Sequence, residues 1–166
     1  MQVPTRRADK IPRAKSDPHL TAEKFLELKN RCERLVNFSR PQAAEEVKRL
    51  ALMGDFSENA GYQLAKSRLR GINNRITEME DLMKRAIIID PNQNNDQIRL
   101  GHLVTLEING RTKQYRILGS AETNPTSGII SHNSPLGAAL IHKSVGEKVT
   151  IKAGDKIVEY KIIKIE

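Results

Sequence analysis

Residues 65–86 read A-K-S-R-L-R-G-I-N-N-R-I-T-E-M-E-D-L-M-K-R-A. Ala65, Leu69, Ile72, Ile76, Met79, Met83 and Ala86 fall at alternating spacings of four and three without a miss. A 3.5-residue period is the seam of a left-handed coiled coil, so this stretch predicts one long helix with a single apolar stripe. A second stripe lies upstream. Thr21 can cap a helix with Glu23 in its first turn, and Phe25, Leu28, Cys32 and Leu35 follow at helical spacing. Pro41 removes a backbone donor and crowds the preceding turn, which predicts a kink or short break before the stripe resumes at Ala44, Val47 and Ala51. Two such segments meeting at Gly54 can pair only antiparallel, as an αα-hairpin. The other use of such a stripe, a core helix of a compact bundle, lacks a third helix here.

The tip of that hairpin is Gly54-Asp55-Phe56-Ser57-Glu58-Asn59-Ala60. Gly54 suits the left-handed position that closes a helix. Asp55 can cap the next helix, with Glu58 reaching back in a capping box, a turn worth about 1 kcal/mol. The same two carboxylates, three residues apart, can instead hold part of the shell of Mg²⁺, which usually takes one or two protein carboxylates together with waters and phosphate oxygens. If the tip enters a site where another protein already holds Mg²⁺, the pair can complete a two-metal centre for attack of water on a phosphodiester. Spacing alone leaves both readings open.

The rest of the chain reads as flanks and a second domain. Residues 1–20 carry Pro4, Pro12 and Pro18 among five basic residues without an apolar period, which predicts a disordered basic arm. Residues 91–98, with Pro91 and the run Asn92-Gln93-Asn94-Asn95, read as a linker between a hairpin at 21–90 and a domain at 99–166. Strand patterns occur at Leu103–Ile108, Gln114–Leu118, Gly128–Ser131, Glu147–Lys152 and Ile157–Ile165. Asn109-Gly110 and Gly154-Asp155 give turn signals, and Pro135–His142 suits one short helix. The fold class is therefore α+β.

The 166 residues carry a net charge of +8, of which +6 lies in residues 1–88. That balance favours nucleic acid or an acidic protein surface as partner. Aromatics are 4% and Trp is absent, which argues against aromatic base-stacking platforms. No stretch reads as a membrane span or signal peptide, and the one cysteine, Cys32, fits a reduced cytoplasm. His19, His102, His132 and His142 show no metal-ligand spacing and read as separate surface or half-buried side chains.

Gly54-Asp55-x-x-Glu58-Asn59-Ala60 followed by Tyr62 resembles the tip motif of the Gre family of bacterial transcript cleavage factors. Further matches fall in family order: Pro41, the strand Gln114 to Gly119, the segment Ile130-Ser131-His132-Asn133-Ser134-Pro135-Leu136-Gly137, then Gly146-Glu147 and Tyr160-Lys161-Ile162-Ile163. Together they span residues 21–166, and Lys66-Ser67-Arg68-Leu69-Arg70 leans towards the GreB branch. The resemblance implies an FKBP-like C-terminal domain and a hairpin that passes through the secondary channel of RNA polymerase. It implies that Asp55 and Glu58 stabilise the polymerase's second active-site Mg²⁺, so that backtracked nascent RNA is hydrolysed to give a new 3′ end. The protein would then be a monomeric accessory factor rather than a free-standing enzyme. Phe56 and Asn59 would make tip contacts. Lys66, Arg68, Arg70 and Arg75 would hold RNA phosphates, in a salt-sensitive way. Asn133, Ser134 and Pro135 would dock on the polymerase. The reach fits: residues 58–89 as helix span roughly 45 Å at 1.5 Å per residue.

One departure stands beside the tip. Family members commonly carry a third acid where this chain has Gly61. It removes a negative charge and costs up to about 1 kcal/mol of helix propensity. Gly61 keeps in play a channel-binding regulator that blocks rather than cleaves. The C-terminal fold also admits a peptidyl-prolyl isomerase, whose aromatic pocket would have only Tyr115 and Tyr160 to draw on. The basic hairpin admits a nucleic-acid-binding coiled coil acting without polymerase.

Overall fold

The computed structural model describes residues 16–53, 59–90, 94–153 and 156–166. Asp55, Phe56 and Glu58, like the Gly154-Asp155 turn, lie outside the described residues.

The hairpin forms as its stripes predict. Helix α1 (Ala22–Arg34) is capped by Thr21, whose hydroxyl oxygen accepts from the Lys24 N–H at 3.1 Å. It runs into a five-residue π-helical turn at Leu35–Ser39 and on into α2 (Arg40–Ala51). The Pro41 interruption thus takes the form of a widened turn. Pro41 has no N–H for an ordinary helical bond, and the Arg40 N–H bonds the Leu35 carbonyl five residues back. Ala43, not the expected Ala44, is the buried alanine beyond this turn. The return helix α3 (Ala60–Arg85) has 26 residues, about 39 Å at 1.5 Å per residue.

Between the helices, Cys32, Ala43, Ile72 and Ile76 are buried with Leu35, Val36, Leu69, Met79 and Met83 around them. Burial pushes the Cys32 thiol above its ordinary value, aided by Glu80 and Glu33, so it behaves as a small apolar side chain. At the base a second cluster joins Leu20, Leu28 and Leu82. Leu20 is fully buried, so the disordered basic arm expected over residues 1–20 stops short of it, and residues 1–15 lie outside the described residues. Strand β1 (His19–Leu20) pairs in parallel with β2 (Ile87–Ile88), which directly follows α3. The Ile87 and Ile89 amides donate to the Pro18 and Leu20 carbonyls at 2.8 and 2.9 Å.

The C-terminal domain is one five-stranded sheet with a short helix. Its strands are β3 (Leu103–Ile108), β4 (Arg111–Leu118), β5 (Ile129–Ser131), β6 (Lys148–Ala153) and β7 (Lys156–Ile165), in the order β5-β4-β3-β7-β6. All neighbours are antiparallel except β4 and β5. Asn109 and Gly110 turn β3 into β4 with φ of 51° and 74°, the paired left-handed geometry of a two-residue hairpin. Helix α4 (Pro135–Leu140) contributes Leu140 to a core of Ile98, Val104, Leu106, Ile117, Val149, Ile162 and Ile165. The linker therefore ends before Ile98, which is fully buried and is pinned by backbone bonds to Lys143 and His142. Tyr115 and Tyr160 pack against this core, which leaves the isomerase reading without its aromatic pocket among the described residues.

Candidate functional site

Three places on the molecule carry the residues singled out by sequence: the far end of the hairpin, its basic flank, and the segment before α4.

At the far end, α3 begins at Ala60 and its N-cap is Asn59, whose side-chain oxygen accepts from the Tyr62 N–H at 3.1 Å. This corrects the expectation that Asp55 caps the helix with Glu58 in a capping box. A cap must sit immediately before the first helical residue, and Asn59 fills that place. The other end is corrected likewise. The C-cap of α2 is Leu52, so the residue after it is Met53, and Gly54 falls one position further on. Neither Asp55 nor Glu58 is thus the cap of α3. Gly61 stands in the first turn, where an added Cβ would lie 3.2 Å from the capping oxygen of Asn59. Leu52, Met53 and Leu64 are largely exposed near this end.

Along the flank, Lys66, Arg68, Arg70 and Arg75 are all exposed. Lys66 places its Nζ 5.9 Å from the centre of the Tyr62 ring. Arg68 reaches across the hairpin to Glu46 at 3.3 Å. Arg68 and Arg75 also line a shallow groove with Leu35, Ser39, Gly71 and Ile72, opposite the π-helical turn. The four cations therefore divide into a Lys66–Arg70 pair one turn apart and an Arg68–Arg75 pair beside the groove.

In the third segment each residue has a mechanical duty. The Ser134 hydroxyl donates to the Ser131 carbonyl at 2.6 Å and accepts from the Gly137 N–H at 3.1 Å, which caps α4. Pro135 occupies the first helical position, where its missing N–H costs nothing. A Cβ on Gly137 would come within 2.1 Å of the Ser131 carbonyl oxygen, so only glycine lets the helix lie this close. Asn133 and Pro135 are left exposed at the end of this rigid turn.

The sequence reading missed a fourth place, the junction of the two domains. Asp17 accepts the Ser120 N–H at 2.7 Å and the His19 N–H at 3.2 Å. Its two oxygens also face His19 Nδ1 at 2.8 Å and His132 Nδ1 at 3.3 Å. Burial opposes ionisation of this carboxyl, yet the bonds from Ser120 and His19 and the nearby His132 together hold it below the usual carboxylate range. Thr21 donates both its N–H and its hydroxyl to Glu122, each at 2.7 Å. Gly119 permits the contact, since a Cβ there would lie 1.9 Å from the His19 carbonyl oxygen. His19 and His132, expected to stand apart, meet edge to face with ring centres 5.3 Å apart. No local pattern announces a contact between residues more than one hundred positions apart.

Comparison with known proteins places this architecture. Residues 19–88 match the family described as transcription elongation factor, N-terminal, and residues 93–166 match transcription elongation factor, GreA/GreB, C-term. The class is that of two-domain transcription elongation factors. A relative from Nitratiruptor sp., named transcription elongation factor GreA, is 39% identical over 129 residues, covering 76% of this chain and 79% of its own. Another of that name from Chloroflexus aggregans is 37% identical over 150 residues, covering 89% and 96%. The chain belongs to the GreA/GreB family. A solved structure, the GreA factor homolog 1 protein of Thermus thermophilus, aligns at 27% identity and a TM-score of 0.41, covering 89% of this chain and 97% of that one. These relatives carry the GreA name and lend nothing to the GreB lean of residues 66–70. Among the described residues no helix is long and apolar enough to cross a membrane.

Proposed function

We propose that this chain is a cytoplasmic, monomeric elongation factor that inserts its hairpin into the secondary channel of RNA polymerase and stimulates hydrolysis of backtracked nascent RNA. The observation that carries this reading is the cap at Asn59. It takes the helix-capping duty that competed for Asp55 and Glu58, two acids that in sequence directly precede a helix about 39 Å long. Two carboxylates with no basic residue between them are a donor set suited to a hard cation. Asp55 and Glu58 would hold a Mg²⁺ that the polymerase binds weakly on its own. That ion, when bound, supplies the second positive centre for in-line attack of water on the phosphodiester. Phe56 and Asn59 make the tip contacts beside the polymerase active site. The Lys66–Arg70 pair and the Arg68–Arg75 groove bind phosphates of the extruded RNA 3′ segment, while Asn133, Ser134 and Pro135 dock the second domain at the channel rim.

The test uses backtracked elongation complexes with wild type, Asp55→Ala and Glu58→Ala. Wild type is expected to shorten the RNA. Each alanine variant should bind equally and cleave at least about tenfold more slowly, since even outer-shell changes at metal sites cost roughly 10–100-fold. Alanine variants as active as wild type would remove the acids from the mechanism. Gly61 favours a second reading, a factor that occupies the channel and blocks it. Wild type that binds without shortening the RNA selects that reading.

A further inference from the structure

We propose that Asp17, His19 and His132 form a site for a divalent transition-metal ion of the zinc type, which clamps the strand entering the hairpin to the C-terminal domain. One ligand atom from each residue lies within 4.8 Å of the other two. The Asp17 Oδ2 to His132 Nδ1 separation is 3.3 Å. Two ligands about 2.0 Å from a tetrahedral ion stand about 3.3 Å apart, so this pair already has the required spacing. The Asp17 Oδ1 to His19 Nδ1 contact, at 2.8 Å, is where an ion would take the place of the shared proton. Small rotations of two imidazole rings close the remaining distance.

The setting is that of a built site. The Asp17 side chain is only 5% exposed and His132 only 20%, while His19 at 30% leaves one side open for a water to complete four-coordination. The ligands are oriented from behind, because the backbone amides of Ser120 and His19 hold the Asp17 carboxylate, and the His132 amide is anchored on the Leu118 carbonyl at 3.0 Å. Pro18, between two of the ligands, restricts the backbone that spaces them. Two imidazoles and one carboxylate select zinc, copper or nickel over Mg²⁺ or Ca²⁺, which prefer oxygen donors, so this site is chemically distinct from the hairpin tip. Its ligands come from both domains, and an ion bound there resists their separation.

The experiment titrates the full chain with Zn²⁺ alone, in competition with a chromophoric chelator. Wild type is expected to take up one equivalent. The double variant His19→Gln/His132→Gln should bind at least 100-fold more weakly, with His142→Asn unchanged as a control for an exposed histidine. Co²⁺ in place of Zn²⁺ should give the visible bands of a four-coordinate site in wild type and lose them in the double variant. Zn²⁺ should also raise the melting temperature of wild type but not of the variant. If the double variant fails to fold, the single variant His132→Gln, which leaves the Asp17 carboxylate and both of its backbone amide bonds in place, serves the same purpose. The proposal is overturned if wild type binds no Zn²⁺, or if these variants bind it as wild type does.

Discussion

Six fully buried aliphatic side chains, Ile98, Val104, Leu106, Ile117, Leu140 and Ile162, fill the C-terminal domain, whereas the hairpin shaft seals its seam with Cys32, Ala43, Ala65, Ile72 and Ile76, each 3–8% exposed. At about 1.5–3 kcal/mol per buried large aliphatic side chain, the domain is held by its own core. The seam is one layer of mostly smaller residues, and among the described residues its only fully buried side chain is Leu20 at the base. The shaft therefore depends on its root. A slender lever is kept stiff in this way: the domain provides a fixed footing, and the junction of Asp17, Thr21, Gly119 and Glu122 couples the lever to it.

Substitutions in the two regions should differ in cost. Leu106→Ala should cost about 2–5 kcal/mol in denaturant unfolding, whereas Ile76→Ala in the half-open seam should fall at the low end of that range. Equal losses would mean that the two regions are packed alike. Gly119→Ala should cost about 1–3 kcal/mol by forcing a methyl against the His19 carbonyl. Hydrogen exchange should then quicken at the Ile87 and Ile89 amides and leave those of Val104 and Leu106 protected. If protection falls evenly, the junction and the domain are one unit.

A smaller effect concerns pH. Burial, with Arg99 nearby, pushes the His102 imidazole below the ordinary histidine value. Its Nδ1 accepts from the Arg99 N–H, and its Nε2 has no partner among the described residues. A depressed folded-state value means that the unfolded chain takes up the proton first. This contribution to stability is thus complete above about pH 6.5 and is lost as pH falls below it. His102→Phe should flatten the difference in melting temperature between pH 7.5 and pH 5.5. A difference as large as that of wild type would assign it to other groups. The smallest change is Glu46→Ala, which removes an exposed pair and should cost no more than about 0.5 kcal/mol, with the cost disappearing in high salt.

Much of this was legible in the residues because periodicity is local. The 3.5-residue stripe located α3, the alternation from Leu103 located β3, and Asn109-Gly110 located its turn. Ser134-Pro135 marked the start of α4. The failures share one cause. The burial of Ala43 in place of the expected Ala44 depends on how the chain passes Pro41, and spacing alone does not show that a proline can be absorbed by widening the turn before it. The misplaced cap arose because Asp55 and Asn59 both suit the role, and only the helix start decides between them. The burial of Leu20 and the meeting of His19 with His132 depend on how one domain stands on the other, which no window of sequence contains.

The π-helical turn at Leu35–Ser39 gives the lever an azimuth. Each residue of an α-helix carries the chain about 100° around its axis, so a residue housed in a wider turn changes the compass direction faced by everything beyond it. The bearing of the tip is therefore set partway along the shaft, by residues belonging neither to the tip nor to the footing. A change of one residue at that turn is a means of re-aiming the tip without rebuilding either end.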